Sequence, residues 1–227
     1  MIPTVLTLSD AWVALTQSGA AVLPDAQSLL WVRYAIWSLV LPAGVLLLGR
    51  VWAHGHALEP RDLRRWLWPA GGVAAWAWVP GDWGISYWLG LSFQTPSLVS
   101  GLLAATLLVQ PSAQRSVCVS PWDRVYAIGT VLLGWVLLLD TFAVFPVSLY
   151  SWGFDPSTYA GLWAFALLPW VVSGRAAWRA RGPWQLCAAL LVFGLARWPS
   201  GNVWDAVLDP CLWLVLQALA VRRLRAR

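Results

Sequence analysis

Residues 66–110 read WLWPAGGVAAWAWVPGDWGISYWLGLSFQTPSLVSGLLAATLLVQ and contain a single charged side chain, that of Asp82. One continuous helix of this length would extend about 67 Å, at about 1.5 Å per residue. The hydrocarbon core of a bilayer is roughly 30 Å thick, so the segment predicts two membrane crossings. We place the turn between them at Pro80-Gly81-Asp82, because proline and glycine together interrupt helices.

The second of these crossings, residues 83–110, is longer than a bilayer requires and carries Thr95-Pro96 in its middle. A proline inside a helix removes one backbone hydrogen bond and collides with the preceding turn. We therefore expect this crossing to be either kinked or split into a short interfacial piece and a true span.

The rest of the chain has the same long apolar blocks, since 59% of its 227 residues are hydrophobic and only 11% are charged. A soluble globular protein carries roughly a quarter charged residues. Long blocks favour helices over the short alternating runs of a barrel. Besides the two crossings within residues 66–110, the predicted spans are residues 29–49, 125–147, 158–172, 184–198 and 203–221. The sequence therefore predicts an all-α, polytopic transmembrane helical bundle of about seven spans.

Three regions follow from this pattern. Residues 1–28 mix apolar and polar side chains, which is typical of an interfacial helix and not of a span. They lack a charged start followed by a long apolar core, so no cleavable signal peptide is expected. Residues 29–221 form the transmembrane bundle, and residues 222–227 form a basic cytoplasmic tail.

Arginine supplies all of the basic side-chain charge, because the chain contains no lysine. Apart from Arg33 and Arg197, every arginine lies in alternate loops or in the C-terminal tail. Basic loops stay cytoplasmic, so we expect the N-terminus outside and the C-terminus inside a bacterial inner (cytoplasmic) membrane. This charge indicates topology and lipid contact, not nucleic-acid binding. The lack of lysine also excludes a retinal Schiff base.

Twenty tryptophans make the chain tryptophan-rich. Many lie at predicted span ends, where indole rings favour the headgroup region, so we interpret them as an aromatic belt in contact with membrane lipids. Four others lie further inside, where they either pack within the bundle or line a pocket for a flat, cationic or isoprenoid ligand. These four are Trp88, Trp135, Trp163 and Trp213.

The densest polar group lies in residues 197–210, at the turn before the last predicted span. Asn202 is a good N-cap there, and a continuous helix would place Asp205 and Asp209 on one face, four residues apart. Two carboxylates beside an asparagine carbonyl are oxygen ligands that suit Mg²⁺ or Ca²⁺. We predict Asp205 and Asp209 as candidate metal ligands, and Asn202, Arg197 and Trp204 as candidate binding residues. The alternative is that the group serves only as helix caps and ion pairs.

Asp140 is the other polar residue in an unexpected place, since it lies within an apolar run at residues 131–145. An ionisable residue inside a membrane span is costly and either marks a functional site or pairs with an opposite charge. Arg197 is predicted at a similar depth. Asp140 and Arg197 are therefore expected to form either a structural ion pair between two spans or part of a functional site. Asp140, Asp205 and Asp209 are the candidate catalytic carboxylates.

Histidine and cysteine point to little further chemistry. His54 and His56 share one predicted loop, which excludes a transmembrane bis-histidine haem and disfavours a histidine-rich zinc site. Cys118, Cys187 and Cys211 are widely spaced and match no metal or redox motif. Apart from Mg²⁺ or Ca²⁺ at the outer rim, no cofactor is predicted.

Three functions remain open at this point. The first is a non-catalytic subunit or assembly factor of a membrane complex, with other membrane subunits as partners. The second is an enzyme that acts on a lipid-linked or isoprenoid substrate at the outer leaflet. The third is a small-molecule transporter with Asp140 as its coupling site. We favour the first, because the chain shows no complete catalytic set and its short spans would pack against neighbours.

Overall fold

The structure is a computed structural model that describes residues 23–52, 60–109 and 120–225. Every regular element in these ranges is helical, and none of their residues lies in a β-strand. The all-α prediction is therefore confirmed. Most of the predicted interfacial segment (residues 1–22) lies outside the described residues, as do His54, His56, Cys118 and the last two residues of the basic tail.

Nine α-helices are present in the described ranges and are numbered in chain order. They are α1 (Ala26–Trp52), α2 (Pro60–Ala77), α3 (Ile85–Phe93), α4 (Leu98–Val109), α5 (Pro121–Thr141), α6 (Pro156–Ser173), α7 (Arg181–Ala196), α8 (Val203–Val207) and α9 (Pro210–Arg225). Three 3-10 helical turns lie between them, at Gly81–Trp83, Tyr150–Phe154 and Gly174–Arg179.

Two of the described helices are long and apolar enough to cross a membrane. Helix α1 has 27 residues and a mean hydropathy of 1.7 in its most apolar stretch, and α5 has 21 residues and a mean hydropathy of 1.4. Helix α4 and the apolar part of α9 are shorter. These lengths are consistent with membrane association, whereas the count of seven spans stays a prediction.

Both interruptions expected within residues 66–110 are confirmed. Helix α2 is followed by the 3-10 turn Gly81–Trp83, at the expected turn. The second interruption separates α3 from α4, where Gln94 adopts φ 61° and ψ −149° and Pro96 follows two residues later. This backbone conformation is strained for any residue except glycine, and it ends the helix.

The last predicted span, residues 203–221, is not one helix, so this part of the prediction is wrong. Helix α8 ends at Val207, Leu208 is extended with φ −137° and ψ 140°, and α9 begins at Pro210. Proline lacks the N–H that would bond to the carbonyl four residues earlier, and its ring disfavours helical backbone at the residue before it. Asp205 and Asp209 therefore lie in separate segments and not on one continuous helix face.

The buried core is centred on α7, where Leu190 and Phe193 are 0% exposed. Val203 and Ala206 of α8 pack in the same cluster, to which α1, α4, α5 and α6 contribute further apolar side chains. The short helix α8 is thus held within the core of the described protein. Its position in turn fixes the polar residues that lie at its two ends.

Candidate functional site

Asp140 is the second-last residue of α5, and its carboxylate is bound by the loop that follows this helix. Its Oδ1 accepts a hydrogen bond from the backbone N–H of Leu149 at 2.9 Å, and its Oδ2 accepts one from Tyr150 at 2.8 Å. The Ser148 hydroxyl lies 3.4 Å from the same Oδ2. Asp140 therefore caps the 3-10 turn that begins at Tyr150, and the predicted ion pair with Arg197 is wrong.

Arg197 lies directly after α7, where it ends the helix. Its backbone is left-handed, with φ 56° and ψ 22°, and its N–H donates to the Phe193 carbonyl at 2.7 Å. The guanidinium carbon lies 5.3 Å from the centre of the Phe193 ring, which is a cation–π distance. The residue thus occupies the position after a helix that glycine or asparagine usually fills.

Asn202 is the N-cap of α8, as predicted, and it also connects the loop before α8 to the loop after α5 by a hydrogen bond. Its Oδ1 accepts a hydrogen bond from the Trp204 backbone N–H at 2.9 Å, and its Nδ2 donates to the Tyr150 carbonyl at 2.9 Å. The side chain is 0% exposed. A Cβ added at Gly153 would lie 1.8 Å from Asn202 Oδ1, so glycine is required there for the loop to approach.

Two further hydrogen bonds join α8 to the loop after α5, and a third binds Asp205 from the turn before α8. The Trp204 indole N–H donates to the Leu149 carbonyl at 3.1 Å, and the Tyr150 hydroxyl donates to Asp205 Oδ2 at 2.7 Å. The Ser200 hydroxyl donates to the same oxygen. Burial, together with the bond to Asp205, raises the pKa of Tyr150, so this phenol stays protonated and remains a donor. We call Asp140, Tyr150, Asn202, Trp204 and Asp205 the capping network.

Asp209 lies in the break between α8 and α9, where it is only 6% exposed. Its Oδ1 accepts a hydrogen bond from the Leu212 backbone N–H at 3.0 Å, which makes it the N-cap of α9. Its Oδ2 accepts bonds from the Ser97 backbone N–H at 3.0 Å and from the Ser97 hydroxyl at 2.7 Å. The Ser100 hydroxyl also donates to this oxygen.

One carboxylate therefore serves the N-terminal ends of two helices, α4 and α9. Both ends present unpaired N–H groups and a partial positive charge, which a carboxylate stabilises. Sequence reasoning missed Ser97 and Ser100 as the partners of Asp209. The available signals were Asp-Pro at 209–210, an N-cap followed by proline at the first helical position, and the serine directly after Pro96.

A cavity of ≈ 450 Å³ lies beside this junction. It is lined by residues of the α3–α4 break, by residues of the α8–α9 break and by one face of α5. Asp205, Asp209 and Tyr150 all line it, so the structure brings two of the candidate catalytic carboxylates to one cavity. Asp205 is the one of the three candidates with an oxygen, Oδ1, that accepts no hydrogen bond from the described residues.

A second cavity, of ≈ 560 Å³, lies on the other side of the last interrupted helix. Its lining is mostly apolar and comes from α4, α5, α6, α7, α8 and α9, with Leu107 and Leu216 among the side chains. Leu208 and Trp213 line the first cavity, whereas Val207 and Leu212 line the second. The α8–α9 segment thus separates the two cavities.

No group of three or more His, Cys, Asp or Glu side chains within the described ranges is arranged to hold a metal ion. The donors from Ser97, Ser100 and Leu212 occupy oxygens of Asp209 that a cation would need. These bonds favour the capping alternative for Asp205 and Asp209, and the Mg²⁺ or Ca²⁺ site is left to a direct binding test. Comparison of the chain with protein-family models, curated proteins and solved structures finds no match.

Proposed function

We propose that this chain is a multi-pass protein of the bacterial inner membrane, with about seven spans, its N-terminus outside and its C-terminus in the cytoplasm. Helix α5 gives the most direct support for residence in a membrane. It lies in the middle of the chain, and only 11% of its apolar stretch is buried. A core helix of a soluble protein would be mostly buried, because exposed apolar area costs about 25 cal/mol per Å² in water.

The outer surface of the described helices supports the same proposal. Large apolar side chains face away from the core on α5 and α6, among them Ile128, Leu132 and Val171. Soluble monomers rarely expose wide apolar patches, whereas lipid-facing surfaces consist of them. Counting α3 with α4, and α8 with α9, as two interrupted spans keeps the number of crossings at about seven. The alternation of arginine-rich loops supports the orientation.

Within that placement we propose a non-catalytic role, as a subunit or assembly factor of a membrane complex. The observation that carries this proposal is that the carboxylates of Asp140 and Asp209 are bound by the chain itself. Both oxygens of each carboxylate accept hydrogen bonds from N–H or O–H groups of the chain itself. Carboxylates engaged in this way stabilise helix ends and loops, and are poorly placed to take a proton from a substrate.

Cross-linking in intact membranes tests this role. Membranes that contain the tagged chain are treated with a short bifunctional cross-linker, dissolved in mild detergent and analysed by native mass spectrometry. We expect a discrete heteromeric species of fixed stoichiometry. Recovery of the chain only as a monomer or homo-oligomer, from membranes in which an established complex is captured in parallel, would overturn the proposal.

Small-molecule transport is a second candidate, because two interrupted helices meet within the protein. Ser97 at the start of α4 and Asp209 at the start of α9 form the contact. Helix α4 has 12 residues and extends about 18 Å, so the contact is expected near the middle of the bilayer. Transporters commonly bind substrates and coupling ions where such helices meet. If the protein is a transporter, we expect Asp209, and not Asp140, to be the residue that couples transport to an ion.

Single cysteines in the two cavities test for transport. In a chain whose three native cysteines are replaced by serine, Leu138→Cys reports on the first cavity and Leu107→Cys on the second. A transporter is expected to change the reactivity of these cysteines toward impermeant thiol reagents in opposite directions when Asp209→Asn is added. Equal reactivity with and without that substitution contradicts alternating access.

A further inference from the structure

The cavity beside the two helix breaks has a polar end and an apolar end. Thr141 and Gly134 of α5 both line it and lie seven residues, or about 10 Å, apart along the helix. At the Thr141 end, the Tyr150 backbone N–H binds Asp140 and the Tyr150 hydroxyl binds Asp205. At the other end, the Trp213 indole covers Gly134, where an added Cβ would lie 2.3 Å from the ring.

The charge of this cavity is negative. Among the described residues that line the cavity, Asp205 and Asp209 are charged and none is basic. Asp209 is fully engaged with Ser97, Ser100 and Leu212. Asp205 retains Oδ1 as an acceptor without a donor from the described chain. A carboxylate at the border of an apolar cavity gains strongly from a cationic partner that carries N–H donors.

A strained residue borders the same space. Gln94 lines the cavity and holds a backbone conformation, φ 61° and ψ −149°, that glycine alone adopts without cost. Its carbonyl accepts a hydrogen bond from the Trp37 indole at 3.1 Å, which helps to maintain this conformation. Backbone strain of this kind concentrates at ligand-binding sites, where it fixes the shape of the cavity.

We propose that this cavity binds a single-chain amphiphile whose head is a primary alkylammonium group. The ammonium head binds Asp205 Oδ1 at the polar end, and the alkyl chain lies along Leu138 toward Trp213. An anionic head is repelled by Asp205 and finds no basic partner in the described lining. The volume of ≈ 450 Å³ falls within the range of roughly 300–1,000 Å³ that ligand sites occupy. The proposal rests on the membrane placement given above, since such a ligand enters from lipid.

Photolabelling of the full-length protein tests this site. The probe is dodecylamine with a diazirine in its alkyl chain, added to protein in nanodiscs, and labelled positions are mapped by mass spectrometry. We expect saturable labelling within residues 134–141 and 205–213. A probe with the same chain and a sulfate head should label these residues at least tenfold less. Equal labelling by the two heads, or labelling spread over the exposed faces of α5 and α6, would overturn the proposal.

Three variants complete the test. Asp205→Asn should reduce labelling by the amine probe at least tenfold, whereas Asp155→Asn removes an exposed carboxylate elsewhere and should leave labelling unchanged. Leu138→Trp fills the cavity while Asp205 stays in place, so labelling should again be lost. Full labelling of this variant, with a melting temperature that shows it is folded, contradicts the site. Reporter fusions test the membrane orientation separately, so failure of one proposal is distinguishable from failure of the other.

Discussion

Asp209 and Ser97 lie 112 residues apart in the chain, and the Asp209 carboxylate accepts hydrogen bonds from both the backbone N–H and the hydroxyl of Ser97. The same carboxylate caps its own helix through the Leu212 N–H. This contact joins the two interrupted helices at their breaks. The sequence marks Asp209 as a candidate metal ligand, and in the structure its carboxylate links α4 to α9.

Asp209→Ala should lower the free energy of unfolding by about 3 kcal/mol. The substitution removes an N-cap and leaves buried donors of Ser97 and Ser100 without their acceptor. Reversible unfolding in mixed micelles measures the change. Asp155→Ala is the matched control, since Asp155 is an exposed N-cap that binds Ser157 N at 2.8 Å, and should cost about 1 kcal/mol. Equal losses in the two variants would show that the link to α4 contributes nothing.

Gly153→Ala should destabilise the protein by about 1–3 kcal/mol, because the new methyl group collides with Asn202 Oδ1 and forces the loop away from α8. Gly161→Ala provides the comparison. Gly161 lies inside α6 with no heavy atom within 4 Å of an added Cβ, so alanine there should stabilise by about 0.5–1 kcal/mol. Thermal unfolding followed by circular dichroism distinguishes the two. A neutral Gly153→Ala would contradict the close approach.

Asp140→Asn and Arg197→Gln should each destabilise the protein, and their effects should add within about 0.5 kcal/mol. Asp140 binds the backbone N–H groups of Leu149 and Tyr150, so loss of Arg197 leaves its partners in place. A double-mutant cycle on the unfolding free energy measures the coupling. A coupling above about 1 kcal/mol would restore the ion pair predicted from the sequence.

The membrane orientation predicts the activity of reporter fusions. A reporter that is active only in the periplasm should be inactive when fused after Arg227 and active when inserted next to Asp155. The physical reason is the retention of arginine-rich loops on the cytoplasmic side. A cytoplasm-active reporter at both positions should give the opposite pattern. An active periplasmic reporter at the C-terminus would reverse the orientation.

Mg²⁺ and Ca²⁺ should leave the melting temperature of the detergent-purified protein unchanged. A cation that binds the folded state raises it, but most of the carboxylate oxygens of Asp205 and Asp209 already accept hydrogen bonds. The titration is compared with an equal ionic strength of Na⁺. A rise that is specific to the divalent ions and absent in Asp205→Asn would establish the metal site.

Features encoded by neighbouring residues were predictable from the sequence. The turn at Pro80 and the break at Thr95-Pro96 follow from the local chemistry of proline and glycine. Asn202 as an N-cap follows from one side chain and the helix after it. In each case the residue that interrupts or caps the helix lies within a few positions of the effect.

Contacts between distant segments were not predictable in this way. Asp-Pro at 209–210 and the serine after Pro96 mark Asp209 and Ser97 separately as N-caps, but nothing in the sequence indicates that Ser97 and Ser100 donate to Asp209. Opposite charges at similar depth predict a pair between Asp140 and Arg197, whereas in the structure the backbone N–H groups of Leu149 and Tyr150 bind the Asp140 carboxylate. The error over the last helix was avoidable, since Pro210 is a local signal that ends α8.

The position of Asp209 so late in the chain has a consequence for biosynthesis. Helix α4 is synthesised more than a hundred residues before the carboxylate that its first N–H and hydroxyl groups bind. Until α9 is inserted, the donors of Ser97 and Ser100 lack this acceptor. Insertion of α9 therefore completes the start of α4, and a chain truncated before residue 209 leaves these donors without their carboxylate.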